Sequence, residues 1–342
     1  MKLKKPKPLY AGDTIATVSV SLGLAGDADI LWKYELGKKR LEEMFELQVQ
    51  AAPNSMKGSQ YLENHPQARA EDIMWAFENK NINAIIANIG GYDSIKLLPF
   101  IDTDVIKRNP KIFIGYSDAM NVHLLCYKAG LSTFYGHNLL PVIAEAQGFH
   151  RYSEKWFRKT LFDNSPIGVI EPADDWAFEV VNHSDKNFKR SYYPNSGYEL
   201  IQGRGIARGH LIGGHTDIIT LENKALILDA ADFDNAILFI EDIPECFSSG
   251  QAREFFVRLG KSGILQKLSG IIIGKICENV SFDEHGRAIK DVISNEFQER
   301  DLPVLYGLNF GHSSPIFIIP YGAKGEINCD LKSFAILDSG VE

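Results

Sequence analysis

The chain has 342 residues, 45% of them hydrophobic and 23% charged, with a formal net charge of −8. That composition can bury a core and excludes a mostly disordered or collagen-like chain, and the length suggests about two domains. The acidic balance gives no electrostatic basis for binding along a polyanion, so nucleic acid is not an expected partner.

The start, "MKLKKPKPLYAGD", carries lysines interrupted by Pro6 and Pro8, with no apolar run of signal-peptide length. No stretch approaches the roughly 18–20 apolar residues that span a bilayer. The expectation is a cytoplasmic protein with no membrane partner, its lysines forming a solvated tail. From residue 13 onward, short apolar runs alternate with helix-type spacing. "TIATVSV" (14–20), "INAIIANIGG" (82–91) and "KIFIG" (111–115) read as strands, and "ADILWKYELGKKRLEEMF" (28–45) and "PQARAEDIMWAFENK" (66–80) as helices. Such alternation predicts an α/β domain over 1–165 with a parallel sheet, whose ligands gather beyond the carboxyl ends of its strands.

Residues 166–205 are rich in Asp, Asn, Ser, Pro and aromatics with little periodicity, and read as a linker and long surface loop. Residues 206–342 form a second domain, α+β or β-rich. Its strands are "AILFIED" (236–242), "GIIIGKI" (270–276), "PIFIIPYG" (315–322) and "SFAILD" (333–338), and its helices lie over 249–265 and 289–300. The four cysteines (Cys126, Cys246, Cys277 and Cys329) include no C-x-x-C pair, so neither a metal site nor a redox dithiol is expected. Cys126, on the apolar face of a helix, reads as inert packing rather than a nucleophile.

"KIFIGYSDAMNVHLLCYKAG" runs a buried strand into a helix through Ser117. Ser117 or Asp118 can serve there as a plain helix cap. The alternative is a nucleophile elbow, whose tight turn needs small residues two before and two after the serine; Gly115 and Ala119 fill those places. The Asp118 N–H, at a positive helix start, can then face a developing oxyanion, and Gly90-Gly91 at the end of another strand can supply a second donor. A base and an orienting carboxylate are also needed. His312 sits in the turn "NFGHSSP", and Glu241 ends an apolar strand at the sheet rim, where it is expected to escape burial. His123 falls on the helix after Ser117 and is expected to point away.

Taken together, "FIGYSDA", "FIEDIPE", "GLNFGHSSP" and "IGGYDSIKLLPFID" resemble the signature blocks of the L,D-carboxypeptidase family of serine peptidases, and within it the branch of microcin C immunity proteins. The resemblance runs from "PLYAGDTIATVSVS" to "IPYGAKGEI" in the same order. It implies a Rossmann-like N-terminal domain and a smaller β-rich C-terminal domain, usually paired as a homodimer, with no metal or organic cofactor. It implies further that Ser117 is the nucleophile, His312 the general base and acid, and Glu241 the carboxylate that fixes the imidazole. Asp118, Gly90 and Gly91 would then form the oxyanion hole.

Two departures bear on substrate. Peptidoglycan-recycling members usually carry Arg before the Gly-Gly pair, where this chain has Ile89, as the immunity branch does. The block usually spelled G-G-N-L reads Gly213-Gly214-His215-Thr216, which leaves His215 either a substrate contact or a tolerated replacement. Trp176 resembles a loop aromatic that stacks on a nucleobase, though it can equally anchor its own loop. The substrates implied are a processed microcin C-type peptidyl- or aminoacyl-nucleotide, or alternatively a murein tetrapeptide losing its terminal D-alanine. A non-catalytic nucleotide- or peptide-binding protein is the reading from a different class.

Overall fold

A computed structural model describes residues 3–217, 228–243, 247–276 and 282–342. The first sheet holds strands β1 (Thr14–Val18), β2 (Gln48–Ala51), β3 (Ala84–Ala87), β4 (Ile112–Gly115) and β5 (Phe134–Tyr135) in the order β2-β1-β3-β4-β5, every one of these pairs parallel. Every residue of β3 and β4 is buried, as expected of strands covered on both faces. The covering helices split accordingly. Helix α1 (Leu31–Phe45) places Tyr34, Leu41 and Phe45 in one core cluster; α3 (Pro66–Glu78), which follows the short α2 (Ser59–Asn64), places Ile73 and Phe77 in the other. Helices α4 (Thr103–Arg108) and α5 (Met120–Lys128) share the face of α3, and α6 (Arg151–Leu161) shares that of α1. With this strand order, the crevice where the chain reverses direction opens beyond the ends of β1 and β3.

The stretch read as a linker is not bare loop. It contributes β6 (Gly168–Ile170), the two-residue pair β7 (Asp175–Trp176) and β8 (Tyr193–Pro194), and β9 (Glu199–Gln202). Strands β6 and β9 form the two edges of an eight-stranded sheet. Its centre is the parallel set β10 (Ile206–His215), β11 (Ala236–Glu241), β12 (Gly270–Gly274) and β13 (Val304–Leu308). Helix α7 (Ser249–Lys261) packs Phe255, Phe256 and Leu259 into the core of this sheet. It starts at a capping box in which Ser248 accepts from the Gln251 N–H while the Gln251 side chain accepts from the Ser248 N–H. Helix α8 (Phe282–Lys290) follows β12.

One strand changes partners. β14 (Ile319–Pro320) was expected in the second sheet but pairs antiparallel with β5 at the edge of the first. An edge suits it, because Pro320 has no N–H to donate to a further strand. The chain then returns through β15 (Lys324–Asn328) and β16 (Ser333–Ile336) to the second sheet. Tyr135, Tyr321, Met120 and Leu124 all belong to the core cluster of the second sheet, so the two halves share one apolar seam. The mixed α/β expectation, a parallel N-terminal sheet followed by a β-rich half, matches this architecture. Among the described residues no helix is long and apolar enough to cross a membrane, and no three His, Cys, Asp or Glu side chains are grouped to hold a metal. Cys126 and Cys329 are buried free thiols; Cys246 and Cys277 lie outside the described residues.

Candidate active site

Ser117 follows β4 with φ of +62°, a left-handed conformation that costs a non-glycine residue about 1–2 kcal/mol. Neighbouring contacts hold it there. The Tyr116 N–H donates to Asn138 Oδ1 at 3.2 Å, and the Ser117 N–H donates to the Tyr135 hydroxyl at 3.1 Å. The turn leaves no room for larger side chains, since a Cβ on Gly115 would lie 2.9 Å from Ala87 Cβ and 3.0 Å from Ala119 Cβ. Cys126, six residues beyond Met120 on α5, is fully buried and its thiol is pushed far up by burial, which leaves it inert.

The Gly90-Gly91 turn lies against this corner. A Cβ on Gly90 would sit 2.9 Å from Ser117 Cβ and 3.4 Å from the Asp118 nitrogen. A buried clamp fixes the turn from behind: Arg69 forks both carboxylate oxygens of Asp93 at 2.7 and 2.9 Å, and Ser21 Oγ bonds the same carboxylate and accepts from the Tyr92 N–H. Among the described residues neither the Gly91 nor the Asp118 N–H has an acceptor, whereas the Asp118 side chain is spent on the Ser94 N–H at 2.8 Å.

From the second sheet, Glu241 at the end of β11 accepts from His312 Nδ1 at 2.7 Å. That bond engages Nδ1 and leaves Nε2 as the remaining ring nitrogen of His312, which lines a cavity that Ser117 also lines. Glu241 is only 1% exposed, which corrects the expectation of an unburied rim carboxylate. Its strand is central in the sheet, and Tyr135 from the first sheet covers it, donating its hydroxyl to Oε1 at 2.5 Å. Burial alone would raise the Glu241 pKa, but the charge and hydrogen bond of His312, with help from His215 and Tyr135, hold it at about 2. Conversely, burial would lower the His312 pKa, yet Glu241 outweighs it and the imidazole titrates above its ordinary value. Gly311 makes this approach possible: its φ is +91°, and a Cβ there would lie 2.5 Å from Glu241 Oε2.

Tyr135 was missed by sequence reasoning, although it joins the backbone of Ser117 to the carboxylate of Glu241. His123 is a buried structural histidine, its Nε2 donating to the Gly115 carbonyl at 2.9 Å and its Nδ1 bonded to Thr133 Oγ1 at 2.8 Å. Burial pushes its pKa down to about 3.

His215 lies in the site, 5.6 Å between ring centroids from His312, and lines a neighbouring cavity of about 300 Å³ with Ser117 and Asp118. Its Nε2 stands 3.5 Å from Asp242 Oδ1, so successive carboxylates on one strand end each face an imidazole. Burial pushes the Asp242 pKa up to about 6.

Trp176 is not brought in among the described residues. It lines neither of the two cavities described above; one face meets the Lys275 ammonium at 4.9 Å and its ring lies 5.7 Å from Phe178. Its loop does reach the site by backbone, because Ala177 and Ser314 exchange N–H···O bonds at 2.7 and 2.8 Å just past His312.

Residues 15–136 match the LD-carboxypeptidase N-terminal domain, and residues 208–327 the LD-carboxypeptidase C-terminal domain. The chain belongs to the LD-carboxypeptidase family. It is 31% identical over 278 residues to the microcin C7 self-immunity protein MccF of Escherichia coli, covering 79% of this chain and 78% of that one. The structure of MccF in complex with aspartyl sulfamoyl adenosine superposes with a TM-score of 0.84 at 26% identity, over 99% of this chain and 100% of that one. An MccF-like protein of Streptococcus pneumoniae, solved in complex with AMP, gives a TM-score of 0.85 at 29% identity, over 95% and 98% of the two chains. A Bacillus subtilis protein named "Probable murein peptide carboxypeptidase" is 26% identical over 342 residues, 98% of this chain and 95% of that one.

Proposed function

We propose that the protein is a serine hydrolase that cleaves the amide-type bond of processed microcin C-type aminoacyl- or peptidyl-nucleotides. Ser117 attacks the carbonyl while His312 Nε2 takes its proton, and Glu241 holds the imidazole through Nδ1 and stabilises the imidazolium. The N–H groups of Asp118 and of the Gly90-Gly91 turn receive the developing oxyanion. His312 then protonates the leaving nitrogen, and water, deprotonated by the same imidazole, releases the acyl group from Ser117. The observation that carries this reading is the Glu241–His312 pair facing the cavity that holds a strained, backbone-clamped Ser117.

The nucleotide substrate is favoured by Ile89, which lines that cavity at the position where peptidoglycan-recycling members usually carry Arg, and by the nucleotide and aminoacyl-nucleotide analogue bound in the similar structures. His215 is proposed as a substrate contact from the adjoining cavity. The second reading, release of D-alanine from a murein tetrapeptide, is favoured by the end-to-end match to the B. subtilis relative. Purified protein incubated with each compound and followed by mass spectrometry separates them. Cleavage of the nucleotide conjugate, abolished in Ser117→Ala, is expected; release of D-alanine with the conjugate left intact would overturn the first reading in favour of the second.

A further inference from the structure

The cavity shared by Ser117 and His312 has a volume of about 270 Å³ and is walled largely by apolar groups, among them Leu22, Ile89, Pro141, Val180 and Val181. Among the described residues, a single lysine or arginine lines it, Arg190 from the 166–205 loop. Arg190 is 7% exposed and is built in rather than draped over the surface. Its backbone N–H donates to Gln147 Oε1 at 2.7 Å and its carbonyl accepts from Gln147 Nε2 at 3.2 Å. Its Nε donates to Glu145 Oε2 at 2.9 Å and its Nη1 to the Glu179 carbonyl at 2.5 Å. Nη2 has no acceptor among the described residues.

Glu145 is shared between Arg190 and two further cations. Buried Lys33 stands within its field, and Arg40 is held beside it by the Ile143 and Glu145 carbonyls at 2.7 and 2.6 Å. Of these groups only Arg190 lines the cavity, together with Glu179; among the described residues Glu145 Oε1 and Glu179 Oε2 are buried without a hydrogen-bond partner. His183, also on the wall, has a buried Nδ1 with no partner. Arg190 is close enough to His312 to act on the charge of its imidazole. A guanidinium held at two corners, with its third unpaired among the described residues, at the wall of a largely apolar cavity is suited to fork a planar or tetrahedral anion.

We infer that Arg190, with His183 beside it, forms an anion subsite of the reaction cavity that binds a carboxylate or phosphate of the substrate. Ile89 leaves its wall of the cavity apolar, and Arg190 provides a cation from another wall. The subsite thus accounts for a position of the long loop that no catalytic role requires. It rests on the reading of this cavity as the reaction site, but its test needs no turnover.

The test is calorimetric binding to the full chain carrying Ser117→Ala, with two ligand pairs that differ only by an anion: AMP against adenosine, and a murein tetrapeptide against its C-terminal carboxamide. In at least one pair the anionic member is expected to bind about tenfold or more tightly, and Arg190→Gln should erase that advantage while leaving the neutral member unchanged. The responding pair identifies whether phosphate or carboxylate is the natural anion. Because Arg190→Gln strands Glu145, the double variant Glu145→Gln/Arg190→Gln is measured alongside and is expected to lose the same preference. Equal affinity within both pairs, no binding of any of the four ligands, or a preference that survives in the double variant would overturn the subsite. A hydrolysis assay failing in the unmodified chain would overturn the proposed reaction instead, without touching these binding ratios.

Discussion

Tyr135→Phe removes one oxygen from the seam between the two sheets and changes almost no volume. The Tyr135 side chain is fully buried, and its hydroxyl both donates to Glu241 Oε1 at 2.5 Å and accepts from the Ser117 N–H at 3.1 Å. Burial, then the Glu241 charge, push its own ionisation far upward, so it is a neutral donor at every working pH. A hydrogen bond to a charged group contributes about 1.5–3 kcal/mol, and the variant also leaves a buried N–H without its acceptor. The expected loss of stability is therefore about 2–3 kcal/mol, seen as a melting temperature lower by several degrees. The loss has a sign in pH as well. Glu241 is held at about 2, well below an ordinary glutamate, so its contribution is present above the ordinary value and fades as pH falls towards 2. Without Tyr135 that carboxylate becomes more basic, attracts the His312 imidazolium more strongly, and moves the acid limb of kcat/KM to higher pH. Above that limb, a Ser117 backbone no longer fixed against the second sheet should turn over about tenfold more slowly. Melting curves and pH–rate profiles of both proteins read these effects. A variant with unchanged melting and an unchanged acid limb would refute the role assigned to Tyr135.

Other substitutions probe the same geometry. Ser117→Gly relieves a φ of +62° and should raise stability by roughly 1 kcal/mol while abolishing turnover, both measurable on one preparation. Gly311→Ala places a Cβ 2.5 Å from Glu241 Oε2 and should cost about 1–3 kcal/mol in denaturant titration along with at least a hundredfold in turnover. Gly130→Ala is its control: φ is +83° but nothing lies within 4 Å, so stability should fall while kcat/KM holds. With His312 proposed as the base, only its neutral form can accept the proton, so kcat/KM of the unmodified protein should rise with pH along a limb centred above the ordinary histidine value. A profile flat from pH 5 to 9 would contradict that assignment.

In the parallel half β1, β3 and β4 were legible because they lie in short apolar runs between stretches of helical spacing, whereas β2, Gln-Val-Gln-Ala, offers no such run. The Ser117 corner was legible because a tight turn constrains its neighbours to Gly115 and Ala119. What stayed hidden depends on contacts far apart along the chain. Tyr135 and Glu241 are 106 positions apart, and β5 is only two residues long, too short to show a period. For the same reason the short strands of 166–205 read as linker. Glu241 at the end of an apolar strand looked like a rim residue, because nothing local reveals that another sheet closes over it. Arg190 sat among polar loop residues, and its significance comes from Glu145 and the cavity rather than from its neighbours in the sequence.

In the proposed reaction a histidine–glutamate pair from one half of the molecule activates a serine from the other. Peptide mapping after brief exposure to a fluorophosphonate tests it directly, using unmodified, His312→Gln and His215→Gln proteins. One adduct is expected, on the peptide carrying Ser117, formed at comparable rates in the unmodified and His215→Gln proteins and at least a hundredfold more slowly in His312→Gln. An adduct on a different residue, or equal labelling of Ser117 with and without His312, would contradict it.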